Sequence, residues 1–170
     1  MWDVRVEGPS DAAAVRQVHE RAFAPSATEA DLVDALRASA GLVPELCLVA
    51  LDGTAAVAGH IAFSRARLES GHEVLALAPM GVLPEHQGRG AGSALVREGL
   101  RRAALTTLPL VVVVGHPAYY PRFGFEPGDA LGVHAPFPVP PEAWMVHRLP
   151  ADRPGTRGTV AYPEPFAGAG

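Results

Sequence analysis

The chain has 170 residues, 48% of them hydrophobic, and a formal net charge of -4; it is long enough for one domain with its own core and too apolar to be disordered throughout. No basic run is longer than the pair Arg101 and Arg102, so the charge pattern excludes nucleic acid as an expected partner. The opening MWDVRVEGPSD lacks a basic stretch leading into an apolar one, and no run is long enough to cross a bilayer, so a soluble, cytoplasmic protein with no membrane partner is expected.

Val4 to Val6 reads as a short strand, after which Pro9, Ser10 and Asp11 start a helix with Val15, Val18, Ala22 and Phe23 at helical spacing. Beyond the loop at Ala24-Pro25, Ser26 with Glu29 three residues on makes a capping-box pattern for a second helix, which carries Leu32, Val33 and Leu36 on one face. Leu46 to Leu51 and Ala55 to Phe63 are apolar runs separated by the hairpin signal Asp52-Gly53. The single cysteine, Cys47, lies in the first run; it has no internal disulfide partner and reads as a small core hydrophobe. A third run, His72 to Leu83, follows the turn Ser70-Gly71, and three antiparallel strands are predicted. Within it, Ala78-Pro79-Met80-Gly81-Val82 reads as a bulged strand, because Pro79 has no N–H and Gly81 weakens the ladder.

After the stretch LPEHQGRGAGS (Leu83 to Ser93), the residues Ala94, Leu95, Val96, Leu100, Ala103 and Ala104 describe an amphipathic helix with Arg97, Glu98, Arg101 and Arg102 outward. Leu110 to Val114 is a strand buried on both faces, parallel to its predecessor through the helical crossover. His116 to Phe123 is predicted as a short helix, Phe125 begins a strand, APFPVPP (Ala135 to Pro141) is an extended loop, and Trp144 to Leu149 is a further strand. Thr159 to Tyr162 adds an edge strand that would permit a homodimer. No internal repeat and no second domain is visible: residues 1–150 form the domain, and 151–170 are a C-terminal extension packed on it.

The glycine-rich stretch lies between a strand and a helix, where backbone N–H groups converge on a point of partial positive charge. Such a point binds anions, phosphates above all. A nucleotide P-loop needs a Lys before Ser93, which Gly92 replaces, and a dinucleotide loop needs Gly-x-Gly-x-x-Gly with an acidic residue ending the next strand, which instead ends Val114-Gly115-His116. A glycine-rich turn with no ligand is the plain alternative.

The run Gln87-Gly88-Arg89-Gly90-Ala91-Gly92 resembles the Gln/Arg-x-x-Gly-x-Gly/Ala signature of the GNAT N-acetyltransferase superfamily, with the bulged strand before it and the helix after it. Gly115-His116-Pro117-Ala118-Tyr119-Tyr120-Pro121-Arg122-Phe123-Gly124-Phe125 resembles that family's Tyr-x-x-x-Gly-Phe element, and more closely its YhbS-like subgroup; the likeness runs through APFPVPPEAWMV to GTVAYPEPF. The resemblance implies an α/β fold: a mixed, mostly antiparallel central sheet with one splayed parallel pair, flanked by helices. It implies acetyl-CoA as cosubstrate, with no metal, and acetyl transfer to a primary amine, small molecule or peptide, by direct attack. The pantetheine arm would meet backbone at Met80, Gly81 and Val82, and the pyrophosphate would lie against Gln87, Gly88, Arg89, Gly90, Ala91, Gly92 and Ser93. Tyr120, four residues before Gly124, takes the position of the acid, and Tyr119 reads as packing or acceptor wall. His116 is the candidate base, with Glu29 and Glu73 as further carboxylates and His86 a loop residue near the phosphates. The acceptor site would lie between the Phe23 to Ser26 loop and the segments after the fifth strand, with Phe23, Pro25, Phe137 and Trp144 as apolar walls. An acyl-CoA sensor that has lost turnover is the reading from another class, and a longer acyl chain or an oxygen acceptor is a third.

Overall fold

The computed structural model describes residues 2–168. Four strands, β1 (Asp3–Val6), β2 (Leu48–Leu51), β3 (Val57–Leu68) and β4 (Glu73–Val82), follow one another as an antiparallel meander. The turn from β2 to β3 is wider than a two-residue Asp-Gly loop: Asp52 Oδ1 accepts from the N–H groups of Thr54 (2.8 Å) and Ala56 (3.1 Å), and β3 starts only at Val57. β3 also runs past the predicted end at Phe63 to Leu68, because its far half keeps a partner in the first half of β4.

Two helices cover one face of this meander. α1 (Ala12–Ala22) and α2 (Thr28–Ala38) bury Val15 and Val33 against Val49 and Leu51, and Leu32 and Leu36 against Leu42, Cys47 and Ala62. The expected capping box at Ser26 does not form: Ala27 is the N-cap, Ser26 Oγ accepts from the Thr28 N–H at 3.1 Å in a local turn, and Glu29 is left free to face elsewhere. Cys47 is buried, and burial pushes its thiol up to about 12, so it is an inert core residue.

α3 (Ala91–Ala103) lies on the opposite face, where Leu95, Val96 and Leu100 pack on Phe63, Leu75, Leu77 and the inward residues of β5 (Leu110–Val114). Gly99 sets how close this helix comes, since a Cβ there would stand 2.6 Å from the Phe63 ring. β8 (Trp144–Arg148) pairs antiparallel with β5 and β6 (Glu126–Pro127) with β8. Behind β4, β5 and β8, the residues Ala76, Val112, Trp144 and Val146 are covered by β7 (Val133–His134), β9 (Gly158–Ala161), Val139 and Tyr162. β9 is not the free edge strand expected. Its second half, Val160 and Ala161, pairs antiparallel with Leu68 and Arg67 of β3, and its first half, Gly158 and Thr159, pairs parallel with Val133 and His134 of β7.

β4 and β5 are parallel, and their ladder is short: it joins Leu75 to Val111 and Ala76 to Val112 and goes no further. On its other side β4 steps from Leu77, opposite Phe63, to Met80, opposite Ile61, so Ala78 and Pro79 form a bulge against β3. The predicted bulge is therefore where the two strands part.

Candidate active site

Past Ala76 the facing edges of β4 and β5 have no ladder between them. Leu83 N–H donates to the Ala58 carbonyl at 2.8 Å, toward β3, whereas the Val82 carbonyl accepts from Gln87 Nε2 at 2.9 Å on the other side. Successive residues of a strand turn their peptide groups to opposite edges, so Met80 and Val82 share the edge that faces the gap. A cavity of about 1030 Å³ occupies that gap. Leu77 to Val82 form its floor, and Val113, Val114, Gly115 and His116 its β5 side; Ala22, Phe23, Glu29 and Leu32 close it from the two helices. Phe137, Tyr162 and Phe166 add an aromatic wall, with Phe137 and Tyr162 stacked at 5.8 Å and Tyr162 and Phe166 tilted at 4.8 Å.

A second hollow of about 380 Å³ adjoins it at the N-terminus of α3, lined by Val82, Gln87, Gly88, Gly90, Ala91, Gly92 and Ser93. Gly90 is the N-cap of α3 with φ +89°, and Gly88 has φ +73°, conformations that side chains rarely adopt. At Gly92 a Cβ would come within 3.3 Å of the Tyr119 hydroxyl, which itself lies 3.1 Å from Ser93 Oγ. The first-turn N–H groups of a thirteen-residue helix thus open onto a space that glycines keep clear. The cation that faces it is Arg122, whose guanidinium stacks over the Tyr119 ring at 4.6 Å. Arg89, the expected one, lines neither space; it is exposed, and its backbone carbonyl accepts from the Trp2 indole N–H at 2.9 Å. Arg122 was visible in the sequence only as part of the Tyr119 to Gly124 turn, with no local signal tying it to the glycine loop. His86 lines the hollow edge-on to Trp2. Helix amides, a guanidinium and bare glycine backbone make a donor set that fits a pyrophosphate.

Tyr119 borders both spaces, and Tyr120 beside it lines the larger cavity alone. Tyr120 is 7% exposed, its ring lies edge-on to Tyr119 and Phe125, and a Cβ at Gly115 would collide with it. Burial pushes its phenol up to about 12, so the hydroxyl keeps its proton at neutral pH and can donate it. His116 is exposed at the cavity rim, and its carbonyl accepts from the N–H groups of Tyr119 (3.0 Å) and Tyr120 (3.3 Å), which shapes the turn that presents both rings. The predicted short helix there is this turn, followed by a single 3-10 turn over Tyr120–Phe123. Glu29 lines the cavity with one carboxylate oxygen buried and without a hydrogen-bond partner among the described residues. Glu73 sits at the opposite end of β4, paired with Arg67, and does not reach the cleft. Of the expected apolar walls, Phe23 and Phe137 line the cavity; Trp144 is buried behind them, donating its indole N–H to Val133, and Pro25 lines neither space. Tyr162 and Phe166 were missed because only β9 brings the tail back to the cleft. Among the described residues, no group of three or more His, Cys, Asp or Glu is placed to hold a metal ion, and no helix is long and apolar enough to cross a membrane.

A family model described as the acetyltransferase (GNAT) domain matches residues 44–127. The uncharacterized N-acetyltransferase YjhQ of Escherichia coli K12 is 41% identical over 164 residues, covering 92% of this chain and 89% of the relative. The solved structure of the Escherichia coli GNAT family N-acetyltransferase YhbS in complex with CoA superposes with a TM-score of 0.90 at 35% identity, covering 98% of this chain and 92% of that one. A GNAT family acetyltransferase from Brucella melitensis, solved with acetyl-CoA, gives a TM-score of 0.79 at 36% identity over 98% of both chains.

Proposed function

The chain belongs to the GNAT family of acetyl-CoA-dependent N-acetyltransferases, and from that premise we propose that it moves the acetyl group to a primary amine by direct attack, with Tyr120 as the acid. The observation that carries this reading is the parting of β4 and β5 beside a glycine-lined helix N-terminus, with the protonated Tyr120 lining the gap next to Tyr119. That its relatives were solved with CoA and with acetyl-CoA supports placing the same cosubstrate here.

Gly88, Gly90, Ala91, Gly92 and Ser93 would hold the pyrophosphate through backbone N–H groups, with Gln87 fixing the loop to β4 and Arg122 in place of Arg89 neutralising charge. The gap-facing peptide groups of Met80 and Val82, with Gly81 between them, would pair with the pantetheine amides as a third strand would. The bound thioester supplies an activated carbonyl and a sulfur leaving group. Against that chemistry the protein sets an aligned backbone N–H near Met80 for the carbonyl oxygen and a proton held at Tyr120 Oη for the sulfur. His116 acts through its carbonyl, by holding the turn.

For the acceptor, the aromatic wall and the single carboxylate of Glu29 favour an amine that arrives as a cation on an apolar stem, small molecule or peptide. We assign residues 151–170 to the same functional unit, because Tyr162 and Phe166 complete that wall, and the cytoplasm as the compartment that supplies acetyl-CoA. The test is Tyr120→Phe: thiol release from acetyl-CoA in the presence of primary amines is expected to fall by about 10²- to 10⁴-fold while CoA affinity is kept. Unchanged turnover would remove Tyr120 from the chemistry, and a wild-type protein that binds CoA without turnover on any amine would favour an acyl-CoA sensor.

A further inference from the structure

The two adjoining spaces differ in the charge they present. Arg122 and the first-turn N–H groups of α3 face the smaller hollow, whereas the acid on the lining of the larger cavity is Glu29, and among the described residues no arginine reaches that lining. The chain has no lysine to add, since all 14 of its Lys and Arg residues are arginines. Apart from His116 at the exposed rim, the described lining of the larger cavity holds no side chain able to carry positive charge.

Glu29 also differs from the other sheltered carboxylates. Asp11 accepts from Arg5 at 2.7 Å, Glu7 from Arg37 at 3.3 Å, and Glu98 from Arg101 and Arg102, each at 2.7 Å. Glu29 Oε1 is shut off from bulk water without any hydrogen-bond partner among the described residues. A carboxylate left without a donor in such a place is costly to fold. Its charge is not neutralised by a neighbour, and the open space it borders is the cavity. The surroundings are aromatic: Phe166 packs on Leu32, one turn along α2 from Glu29, and Tyr162 and Phe137 continue the wall. Phe137 keeps 44% of its surface exposed. Aromatic faces attract an ammonium and cover an apolar stem, and the same faces repel an anion.

We propose that Glu29 determines the specificity of the acceptor site: it holds the acceptor's ammonium, and the site takes a monocationic amine on an aromatic or aliphatic stem while rejecting amines that carry a carboxylate or phosphate of their own. The proposal rests on the transferase reading above and narrows its acceptor. A free amino acid would bring a second negative charge beside Glu29, with no arginine or lysine to pair it and little water to screen it. An amine whose carboxyl is absent or capped meets no such penalty. The cation that anions need stays at the other hollow, with Arg122, so the cosubstrate and the acceptor are sorted by the sign of their charge. Most of an alkylamine is protonated at neutral pH, so recognition is of the ammonium. Its proton passes to water before attack, and Glu29 is assigned no chemical step.

The test uses three acceptors that share one ring and one amine: phenethylamine; L-phenylalaninol, which adds an uncharged branch; and L-phenylalanine, which adds a carboxylate. In the thiol-release assay at pH 7, kcat/KM for phenylalanine is expected about 100-fold or more below that for phenethylamine, with phenylalaninol within about tenfold of it. Glu29→Gln should lower phenethylamine by about tenfold, shrink its lead over phenylalanine to about tenfold or less, and leave CoA affinity unchanged by calorimetry. Equal use of phenylalanine and phenethylamine, or an equal loss on both in Glu29→Gln, overturns the proposal and leaves the transferase reading standing. Turnover of O-phosphoethanolamine without turnover of phenethylamine does the same. Binding separates the two failures: calorimetry on the CoA-loaded wild type is expected to show phenethylamine bound and phenylalanine not. Selective binding without turnover removes the transferase reading alone; binding of neither, or of both alike, overturns the acceptor proposal.

Discussion

At the N-terminus of α3, a few residues contiguous in the chain, Gln87 to Ser93, supply most of one hollow, whereas the wall across the cleft is assembled from α1, α2, the floor of β4, the loop at Phe137 and the tail at Tyr162 and Phe166. The first surface works through backbone: positive-φ glycines, helix amides and the gap-facing edge of β4. The second works through side chains that meet only in the folded protein. A phosphate-binding surface made of main chain tolerates little change in local sequence spacing, while a side-chain wall can be rebuilt for a different acceptor without disturbing it. The two ends of one cleft should therefore respond separately to mutation.

The largest expected effect comes from filling the first surface. Gly92→Leu would push a side chain into the hollow beside Tyr119 and should weaken CoA binding by about 100-fold or more, close to 3 kcal/mol, as measured by calorimetry on a protein whose near- and far-ultraviolet dichroism is unchanged. Retained affinity would mean that the pyrophosphate does not lie there. Next, Arg122→Ala is expected to cost about tenfold in CoA affinity and to flatten its salt dependence, against about twofold or less for Arg89→Ala; the reverse ranking would return the charge contact to the glycine loop.

The smallest effect sharpens the other end of the comparison. His19 is held neutral in the fold, pushed down to about 3, and regains an ordinary value near 6.5 when the chain unfolds. Below 6.5 the unfolded chain binds a proton that the folded one refuses, so this group's contribution is present above 6.5 and is lost as the pH falls toward 3, by at most about 1.4 kcal/mol per pH unit. Thermal unfolding at pH 7 and pH 5 should show a smaller drop in Tm for His19→Leu than for wild type. An equal drop would mean that the buried histidines do not set the acid sensitivity.

The same contrast explains what was legible before the structure. The strand Leu110–Val114, the helix after the glycine loop and the bulge at Ala78 and Pro79 were readable because hydrophobic runs, a proline without an N–H and clustered glycines act locally. Tyr120 was reached through the resemblance, which puts the acid four residues before the glycine at Gly124, and it does line the cleft. Arg89 was expected at the phosphates because it sits inside the motif, whereas the fold leaves it exposed and brings Arg122 to the hollow. The Ser26 and Glu29 pattern suggested a cap, but Ser26 closes a local turn one residue before the N-cap Ala27, and Glu29 is left to the cavity. The hydrogen bond from His19 to His60 spans 41 positions, and that from His60 to Glu7 spans 53, so no periodicity or motif joins them. β9 likewise read as an edge because its two partners, β3 and β7, lie far from it in sequence.

The central claim, that the gap between β4 and β5 with its glycine-lined hollow is an acyl-CoA site, is tested most directly by calorimetric titration of the wild-type protein with acetyl-CoA, CoA and ATP in parallel. Micromolar, one-to-one binding of acetyl-CoA and CoA, with ATP far weaker, is the predicted result, because ATP shares the adenosine and phosphates but lacks the arm that pairs with Met80 and Val82. No binding of either CoA species, or binding of ATP as tight as theirs, would contradict it.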